Sequence, residues 1–266
     1  MATAVARYTA AALTDRGRKR ASNEDAFGYS VEHGVYLVCD GMGGAAAGEI
    51  ASSLAVEEVL RHITGRRESA NGDSAHNDAV QIPQIAQEAV ALANEAIHSR
   101  GQRNQHLTGM GTTLVGLLAG APEEDRRVWI FHVGDSRCYR LRQGSFQQCT
   151  NDHSFVEEQI RMGRMTREEA ARSPWRNVIT RVLGTQPSVT PDVFETEVEP
   201  GDLFLLCSDG LTHEISDQEI QSVLTRAISE AGPESVPLED LCCRLIQAAN
   251  KAGGRDNITC ILVRID

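Results

Sequence analysis

The feature that most constrains this chain is an apolar run that ends abruptly in a carboxylate. Residues 35–44 read VYLVCDGMGG: five apolar positions, then Asp40, then a glycine-rich turn and an alanine-rich stretch of helical character. A short continuous apolar run bounded by turn residues predicts a strand buried on both faces. An acid at the mouth of such a strand costs stability unless something pairs with it. Asp40 is therefore the first candidate for chemistry.

Three more aspartates carry the same signature. Asp135 follows the run VWIFHV, Asp209 follows LFLLC, and Asp256 stands just before the final run ITCILVRI. In antiparallel sheets the end of one strand lies beside the start of the next, so all four acids can converge on one edge of the sheets. Two bare carboxylates about 4 Å apart repel by about 4 kcal/mol at an effective dielectric of about 20. A cluster of this kind persists only when protonated or when it binds cations, and oxygen-only ligation suits Mg²⁺ or Mn²⁺ rather than zinc. Each aspartate alone also reads as a turn residue or helix cap; the four together point to a metal centre.

The remaining pattern gives the fold class. Residues 6–31 hold two apolar pieces around a polar segment at 14–25, expected to be adjacent strands. A helix is expected at about 46–63, a surface loop at 65–79, and then an amphipathic helix. Its stripe is Ile82, Ile85, Ala86, Ala89, Val90, Ala93, Ala96 and Ile97, with Pro83 in the first turn. Strands are predicted at 111–119, 127–133, 137–142 and 146–149, with turns at Asp125 and Gly144. A polar helical insertion follows at 151–181, with a capping-box signature at Thr166 and Glu169. Strands at 192–198 and 203–207 precede two helices, the first opened by a capping box at Ser216 and Glu219, and the chain ends on a strand at 258–265. Strands run in series and helices enter in pairs, without regular β-α-β alternation. The layer rule then gives an α+β arrangement, antiparallel sheets packed together with helices outside. No repeat or linker divides the chain, so residues 1–266 are expected to form a single domain.

Charge and cysteine content exclude other classes. The net charge of 26 − 37 = −11 argues against a general nucleic-acid binder and against attachment to anionic membranes. No apolar run approaches the ~18–20 residues of a membrane span, and the N-terminal residues lack the pattern of a signal peptide. The seven cysteines are odd in number and mostly sit in apolar runs. They read as buried thiols in a reducing, cytoplasmic compartment, with no C-x-x-C pair to suggest zinc.

The short motifs fall in a telling order: Arg20-x-x-Asn23-Glu24-Asp25, Asp40-Gly41-Met42-Gly43-Gly44, Gly109-Met110-Gly111-Thr112-Thr113, Val133-Gly134-Asp135-Ser136-Arg137, Asp152-His153-Ser154, Cys207-Ser208-Asp209-Gly210-Leu211 and Asp256-Asn257-Ile258-Thr259. This series, spanning nearly the whole chain, resembles the metal-dependent serine/threonine protein phosphatases of type 2C, and DGMGG matches their bacterial members. The resemblance implies a four-layer α-β-β-α fold, a central sandwich of two antiparallel sheets with helices on both outer faces. It implies a binuclear Mn²⁺ or Mg²⁺ centre in a cleft at one end. Carried over, Asp40 bridges the two tight metals, the Gly41 carbonyl binds the second, and Asp209 and Asp256 hold the first. Asp135 with Asp209 holds a third, weaker ion, while Glu24 and Asp25 act mainly through water. Arg20 binds the substrate phosphate, for which a guanidinium fork is better shaped than a lysine. Two metals acidify a water and stabilise charge on the phosphoryl oxygens during in-line displacement. The implied substrates are phosphorylated proteins, the products of a serine/threonine kinase, and the implied enzyme is a monomer with a flap at about 151–177 that shapes substrate access. One departure stands out: Met42 occupies the place of a histidine thought to protonate the leaving group in many eukaryotic members. His153, the nearest motif histidine, either takes part in its stead or fixes its loop.

Rival readings are weaker. Residues 41–46 fit a loose G-x-G-x-x-A dinucleotide fingerprint, but Asp40 would face the pyrophosphate with like charge, and no second acid-ended strand arrives about 20 residues later. Residues 109–113 lack the lysine of a P-loop and read as a tight approach of strand and loop. No cysteine has an arginine six residues on, so a cysteine-nucleophile phosphatase is unsupported. His132, inside a strand, reads as a satisfied structural residue. A catalytically dead relative that only binds phosphoproteins is the rival from another class; the intact acid set speaks against it.

Overall fold

A computed structural model describes residues 7–70, 78–120, 126–232 and 236–266. One sheet pairs, in spatial order, β1 (Tyr8–Asp15), β11 (Ile258–Ile265), β10 (Leu203–Cys207), β7 (Arg137–Arg142) and β8 (Ser145–Gln148). The other pairs β2 (Asp25–Ser30), β3 (Val35–Met42), β5 (Leu114–Ala119), β6 (Arg127–Val133) and β9 (Asp192–Glu197), with the two-residue β4 (Gly111–Thr112) on β3. Every pairing is antiparallel.

The continuous apolar runs follow from burial on both faces, because successive side chains of a strand point to opposite sides. On β3, Tyr36 and Val38 enter the core between the sheets, while Val35, Leu37 and Cys39 face the helices α1 (Ala45–Ala70) and α2 (Asp78–Arg103). On β10, Phe204 and Leu206 enter the same central core, whereas Leu203, Leu205 and Cys207 pack under α6 (Asp217–Ala231) and α7 (Leu238–Ala252). The result is the four-layer α-β-β-α arrangement.

Several local expectations change. β1 and β2 are not neighbours: β1 pairs with β11 and β2 with β3. The polar segment between them is too long for a tight hairpin and carries the chain from one sheet to the other. The stretch predicted as a loop at 65–79 is helical over 65–70, since α1 continues to Ala70. Arg67 rewards the extension by donating to the carbonyls of His33 and Ala119, which ties the helix to the sheet edge. Residues 71–77 and the turn expected at Asp125 lie outside the described residues. α2 starts at Asp78, so Pro83 sits inside the helix rather than in its first turn. The strand expected at 111–119 is broken at Thr113 into β4 and β5, because Gly111 and Thr112 pair with Met42 and Gly41 while β5 pairs higher on β3. In the insertion, Thr166 and Glu169 do form a reciprocal capping box at α4 (Arg167–Arg172), which follows α3 (Phe155–Arg161). Ser216 and Glu219 do the same at α6.

The central core should be the most sensitive layer. Phe204→Ala is expected to cost about 3–5 kcal/mol through lost transfer energy and a cavity, whereas Leu92→Ala, at an exposed position of α2, should stay within about 0.5 kcal/mol. Urea unfolding monitored by circular dichroism compares the two; equal midpoint shifts would contradict this layering.

Candidate metal centre

The chain changes sheets at one end of the sandwich, and there the acids meet. The connection from β1 to β2 brings Arg20, Glu24 and Asp25, and the turn from β6 to β7 brings Asp135. The mouths of β3, β10 and β11 bring Asp40, Asp209 and Asp256. Neighbouring groups bond the backbone of these acids and leave carboxylate oxygens over. The Asp40 N–H donates to Thr113 Oγ1 at 3.0 Å, and its carbonyl accepts from the Thr113 N–H and Thr112 Oγ1, each at 2.9 Å. Residues 109–113 thus make the tight approach expected of them. The Gly41 N–H donates to the Glu24 carbonyl at 3.1 Å. The Glu24 and Gly48 carbonyl oxygens crowd the place where a Cβ on residue 41 would go, so only glycine fits. Gly134, with φ of +105°, lets the chain turn before Asp135.

Asn257 pins the crossing segment. Its side-chain oxygen accepts the Glu24 N–H at 2.8 Å, and its nitrogen donates to the carbonyls of Arg16 and Ser22 at 3.0 and 2.9 Å. Asp25, on the β2 side, accepts at Oδ2 from the hydroxyls of Ser208 and Thr259 on the opposite sheet, at 2.8 and 2.7 Å. One carboxylate thereby joins the two sheets. Arg20 Nη2 reaches Asp256 Oδ2 at 2.6 Å. Asp209 opens the single-turn helix α5 (Asp209–Thr212), which the sequence pattern did not reveal, and His213 at its end places Nδ1 3.2 Å from Asp209 Oδ2.

A cleft of about 240 Å³ opens over these groups, and Arg20, Glu24, Asp40, Gly41, Asp209 and Asp256 all line it, together with Met42, Thr113 and Ile179. Asp25 and Asp135 do not line it; both are buried. Asp135 is close enough to Asp209 and Asp40 for their charges to interact.

The electrostatics are those of crowded acids. Burial pushes Asp40 well above the ordinary carboxyl range, and the neighbouring Asp25, Asp209 and Asp135 push it further. Burial lifts Asp25 to about 7, opposed by its two hydroxyl donors and reinforced by Asp209 and Asp256. Burial and Asp209 lift Asp135 to about 7. Burial also opposes ionisation of Asp209, yet the bond from His213 and the His213 charge hold it below its ordinary value. Asp25 Oδ1, Asp135 Oδ1 and Asp209 Oδ1 are buried without a hydrogen-bond partner among the described residues. Oxygens left over on a repulsive carboxylate cluster fit hard divalent cations such as Mn²⁺ or Mg²⁺.

A second polar cluster looks like a metal site and is not one. Ligand atoms of His132, His153 and Asp192 lie within 4.8 Å of one another. The Gly134 N–H donates to His153 Nδ1 at 3.1 Å, so the ring proton sits on Nε2, which faces Asp192 Oδ2 at 3.4 Å. A ligating histidine does the opposite, donating from its second nitrogen. Asp192 is also paired with Arg181 at 2.7 Å. Burial lowers both histidines, His132 to about 4, and their rings stack with centroids 4.4 Å apart. His153 is therefore a neutral strut between the Asp135 turn and the insertion, closed off from the cleft, and of its two expected roles it holds the one of fixing its loop. His132 is buried within its strand, but it is not the fully satisfied residue expected: its Nδ1 has no partner among the described residues.

Sequence reasoning passed over His213 and the donors Ser208 and Thr259. His213 had a signal, its spacing of four residues from Asp209, which places the two on one face of a helical turn.

A family model described as protein phosphatase 2C matches residues 14–262. The chain is 35% identical over 258 residues to protein phosphatase PhpP of Streptococcus pneumoniae, covering 96% of each. It is 39% identical over 266 residues to the serine/threonine protein phosphatase PstP of Mycobacterium tuberculosis, covering 99% of this chain and 46% of that one. The solved catalytic domain of a PstP in complex with two manganese ions superposes with a TM-score of 0.79 at 32% identity, covering 98% of this chain and 99% of that one.

The raised carboxyls make the metal-free protein acid-preferring. A carboxyl whose folded pKa exceeds its unfolded value contributes stability that is complete below about pH 4 and is lost as the pH rises through the folded value. For Asp25 and Asp135 that upper limit is about 7. In EDTA, stability should fall by several kcal/mol, on the order of 5, between about pH 5 and 8, and Mn²⁺ should restore it. Thermal melts across this range, with and without Mn²⁺, test it; a metal-free protein that is most stable at pH 8 would contradict it.

Proposed function

The chain belongs to the protein phosphatase 2C family, and from that premise we propose that it hydrolyses phosphoserine and phosphothreonine in proteins at a centre of two Mn²⁺ or Mg²⁺ ions. The observation that carries this reading is the set of buried carboxylate oxygens left without partners beneath a cleft that also presents an arginine. Asp40, the Gly41 carbonyl, Asp209 and Asp256 would hold the tight pair; Asp135 with Asp209 would hold a third, weaker ion; Glu24 and Asp25 would act through water. When bound, the ions supply an acidified water at neutral pH and positive charge beside the phosphoryl oxygens.

The residues of the chain divide the remaining work. Arg20 is half-exposed, and its one hydrogen bond among the described residues, to Asp256, leaves further N–H donors for phosphate oxygens. Thr112, Thr113 and Asn257 hold the backbone of Asp40 and Glu24, so that the carboxylates are fixed before substrate arrives. His213 holds one oxygen of Asp209 and leaves the other free. Met42 carries no ionisable proton and the cleft is lined by no histidine among the described residues, so neither a residue at position 42 nor a lining histidine supplies the proton for the leaving alkoxide.

We further read residues 1–266 as a single catalytic domain whose segment 151–177 is a flap, acting as a monomer on substrates of a serine/threonine kinase. A cytoplasmic setting is supported by the cysteines, all free and five of the seven buried. No helix among the described residues is long and apolar enough to cross a membrane.

Turnover of phosphothreonine peptides and of p-nitrophenyl phosphate should require Mn²⁺ or Mg²⁺ and stop in EDTA. Asp40→Asn should lower kcat at least about 100-fold while leaving the chain folded. Wild-type kcat for that variant at saturating Mn²⁺ would refute the assignment. Arg20→Ala removes a charged hydrogen bond worth about 1.5–3 kcal/mol, so kcat/KM should drop roughly 10- to 150-fold with little change in metal affinity. Calorimetric loss of Mn²⁺ binding with an unchanged KM would move Arg20 from the substrate to the metals.

A further inference from the structure

All seven cysteines are free, and two of them, Cys149 and Cys243, are only partly buried. Cys243 follows Cys242 on α7, where consecutive residues do not face each other, and Cys242 is turned into the core. Cys149 is placed differently, just past the end of β8 and across from Cys138 on β7. Tyr139 pairs with Gln148 in that ladder, and the Cys149 N–H donates to the Cys138 carbonyl at 2.8 Å. The two cysteines are therefore the next opposed pair. Opposed residues of antiparallel strands have Cα atoms about 5.5 Å apart and side chains on one face, within the roughly 4.4–6.8 Å that a disulfide spans. Both side chains join the core between the sheets, Cys138 fully buried and Cys149 packed against it. β8 is the last strand of its sheet, so this pair has one sulfur at the edge and one inside. A second opposed pair, Cys207 and Cys260, is buried on both strands.

The sulfurs of Cys138 and Cys149 interact directly, and the two thiols differ in acidity. Contact with Cys138 and the Arg140 charge hold the Cys149 thiol below its ordinary value against burial, whereas burial pushes Cys138 up. A partly exposed thiol beside an arginine is the reactive kind. We propose that Cys149 and Cys138 are a peroxide-reactive pair whose closure to a disulfide lowers turnover at the cleft. The Cys149 thiolate attacks one oxygen of hydrogen peroxide; the S–O bond forms, the O–O bond breaks, and hydroxide leaves as water. Cys138 sulfur then attacks the Cys149 sulfenic sulfur; the S–S bond forms, the S–O bond breaks, and the departing hydroxide takes the Cys138 proton. Two thiols give two electrons to one peroxide, and two waters result. Peroxide is small enough for a sulfur that is only partly open.

The effect on turnover rests on the phosphatase reading; the disulfide does not. An S–S bond of about 2.05 Å is shorter than any contact of unbonded sulfurs, so closure draws the start of β7 towards β8. That start is tied to the cleft. Ser136 Oγ lies 2.7 Å from Thr113 Oγ1, which accepts the Asp40 N–H at 3.0 Å. Arg137, next to Cys138, forks Asp152, and the Cys138 N–H donates to Thr150 Oγ1 at 3.1 Å.

The test treats the full chain in Mg²⁺, which has no redox chemistry of its own, with a small excess of hydrogen peroxide, stopped by catalase. Free thiols are then blocked and the protein is cut with trypsin, which cleaves after Arg140 and Arg142 and so separates the two cysteines. Mass spectrometry should find Cys138 joined to Cys149, with Cys207 and Cys260 still blocked as thiols. Turnover of p-nitrophenyl phosphate should fall roughly tenfold, the size of effect that a sub-ångström misplacement gives, and dithiothreitol should restore it. Cys149→Ser should match the untreated protein in turnover and keep that turnover through peroxide. Cys149 carried to sulfinic acid with Cys138 still a thiol would overturn the pair, as would oxidation of Cys207 and Cys260 first. A disulfide with unchanged turnover, or an equal loss of turnover in Cys149→Ser, would overturn the coupling to the cleft. An untreated protein without turnover would sink the phosphatase reading, while the joined peptide would still judge the pair.

Discussion

Like charges buried side by side repel, and the fold accepts that cost at one end only. Asp25, Asp40, Asp135 and Asp209 are forced together by strands and sheet crossings whose positions are fixed elsewhere, by a central core of side chains such as Tyr36, Phe204 and Ile261. The groups around them hold backbone rather than cancel charge. Thr112 and Thr113 bond the Asp40 peptide, and Asn257 bonds the Glu24 peptide and the loop before it. The exception is Asp25, where two hydroxyls meet one oxygen and leave the other bare. Hydroxyls moderate a carboxylate without neutralising it, so the demand for cations survives.

The same chain shows what full compensation looks like. Asp202 precedes β10 and is also buried, but Arg142 grips it through two nitrogens at 2.7 and 2.6 Å, and it accepts the Glu199 N–H. Asp152, at the base of the insertion, is likewise forked by Arg137. The sequence has the means to neutralise an acid beside a strand and uses them away from the cleft. Within it, Arg20 reaches Asp256 alone.

Much of this was legible in the residues, for physical reasons. Strands buried on both faces write themselves as unbroken apolar runs, which is why β3, β6, β10 and β11 were found nearly to their ends. Capping boxes at Thr166 and Ser216 are local, so local reading found them. What was missed depends on distant partners. Nothing near Leu13 or Ala26 says that β1 and β2 belong to different sheets; only their pairing with β11 and β3 does. The last turns of α1 are polar and resembled a loop until Arg67 met two carbonyls far along the chain. The acids at strand mouths were visible, while the difference between Asp40, which lines the cleft, and Asp135, which lies buried beside it, came from the three-dimensional arrangement.

Among the described residues, one arginine lines an otherwise acidic cleft. A phosphate dianion approaching Arg20 must also approach Glu24, Asp40, Asp209 and Asp256, and at close range several negative charges outweigh one positive charge. Cations held by these carboxylates would reverse the sign of the cleft and so favour the approach of a phosphoryl group. The level of free divalent cation would then set how much of the protein can accept a phosphoryl group at any moment.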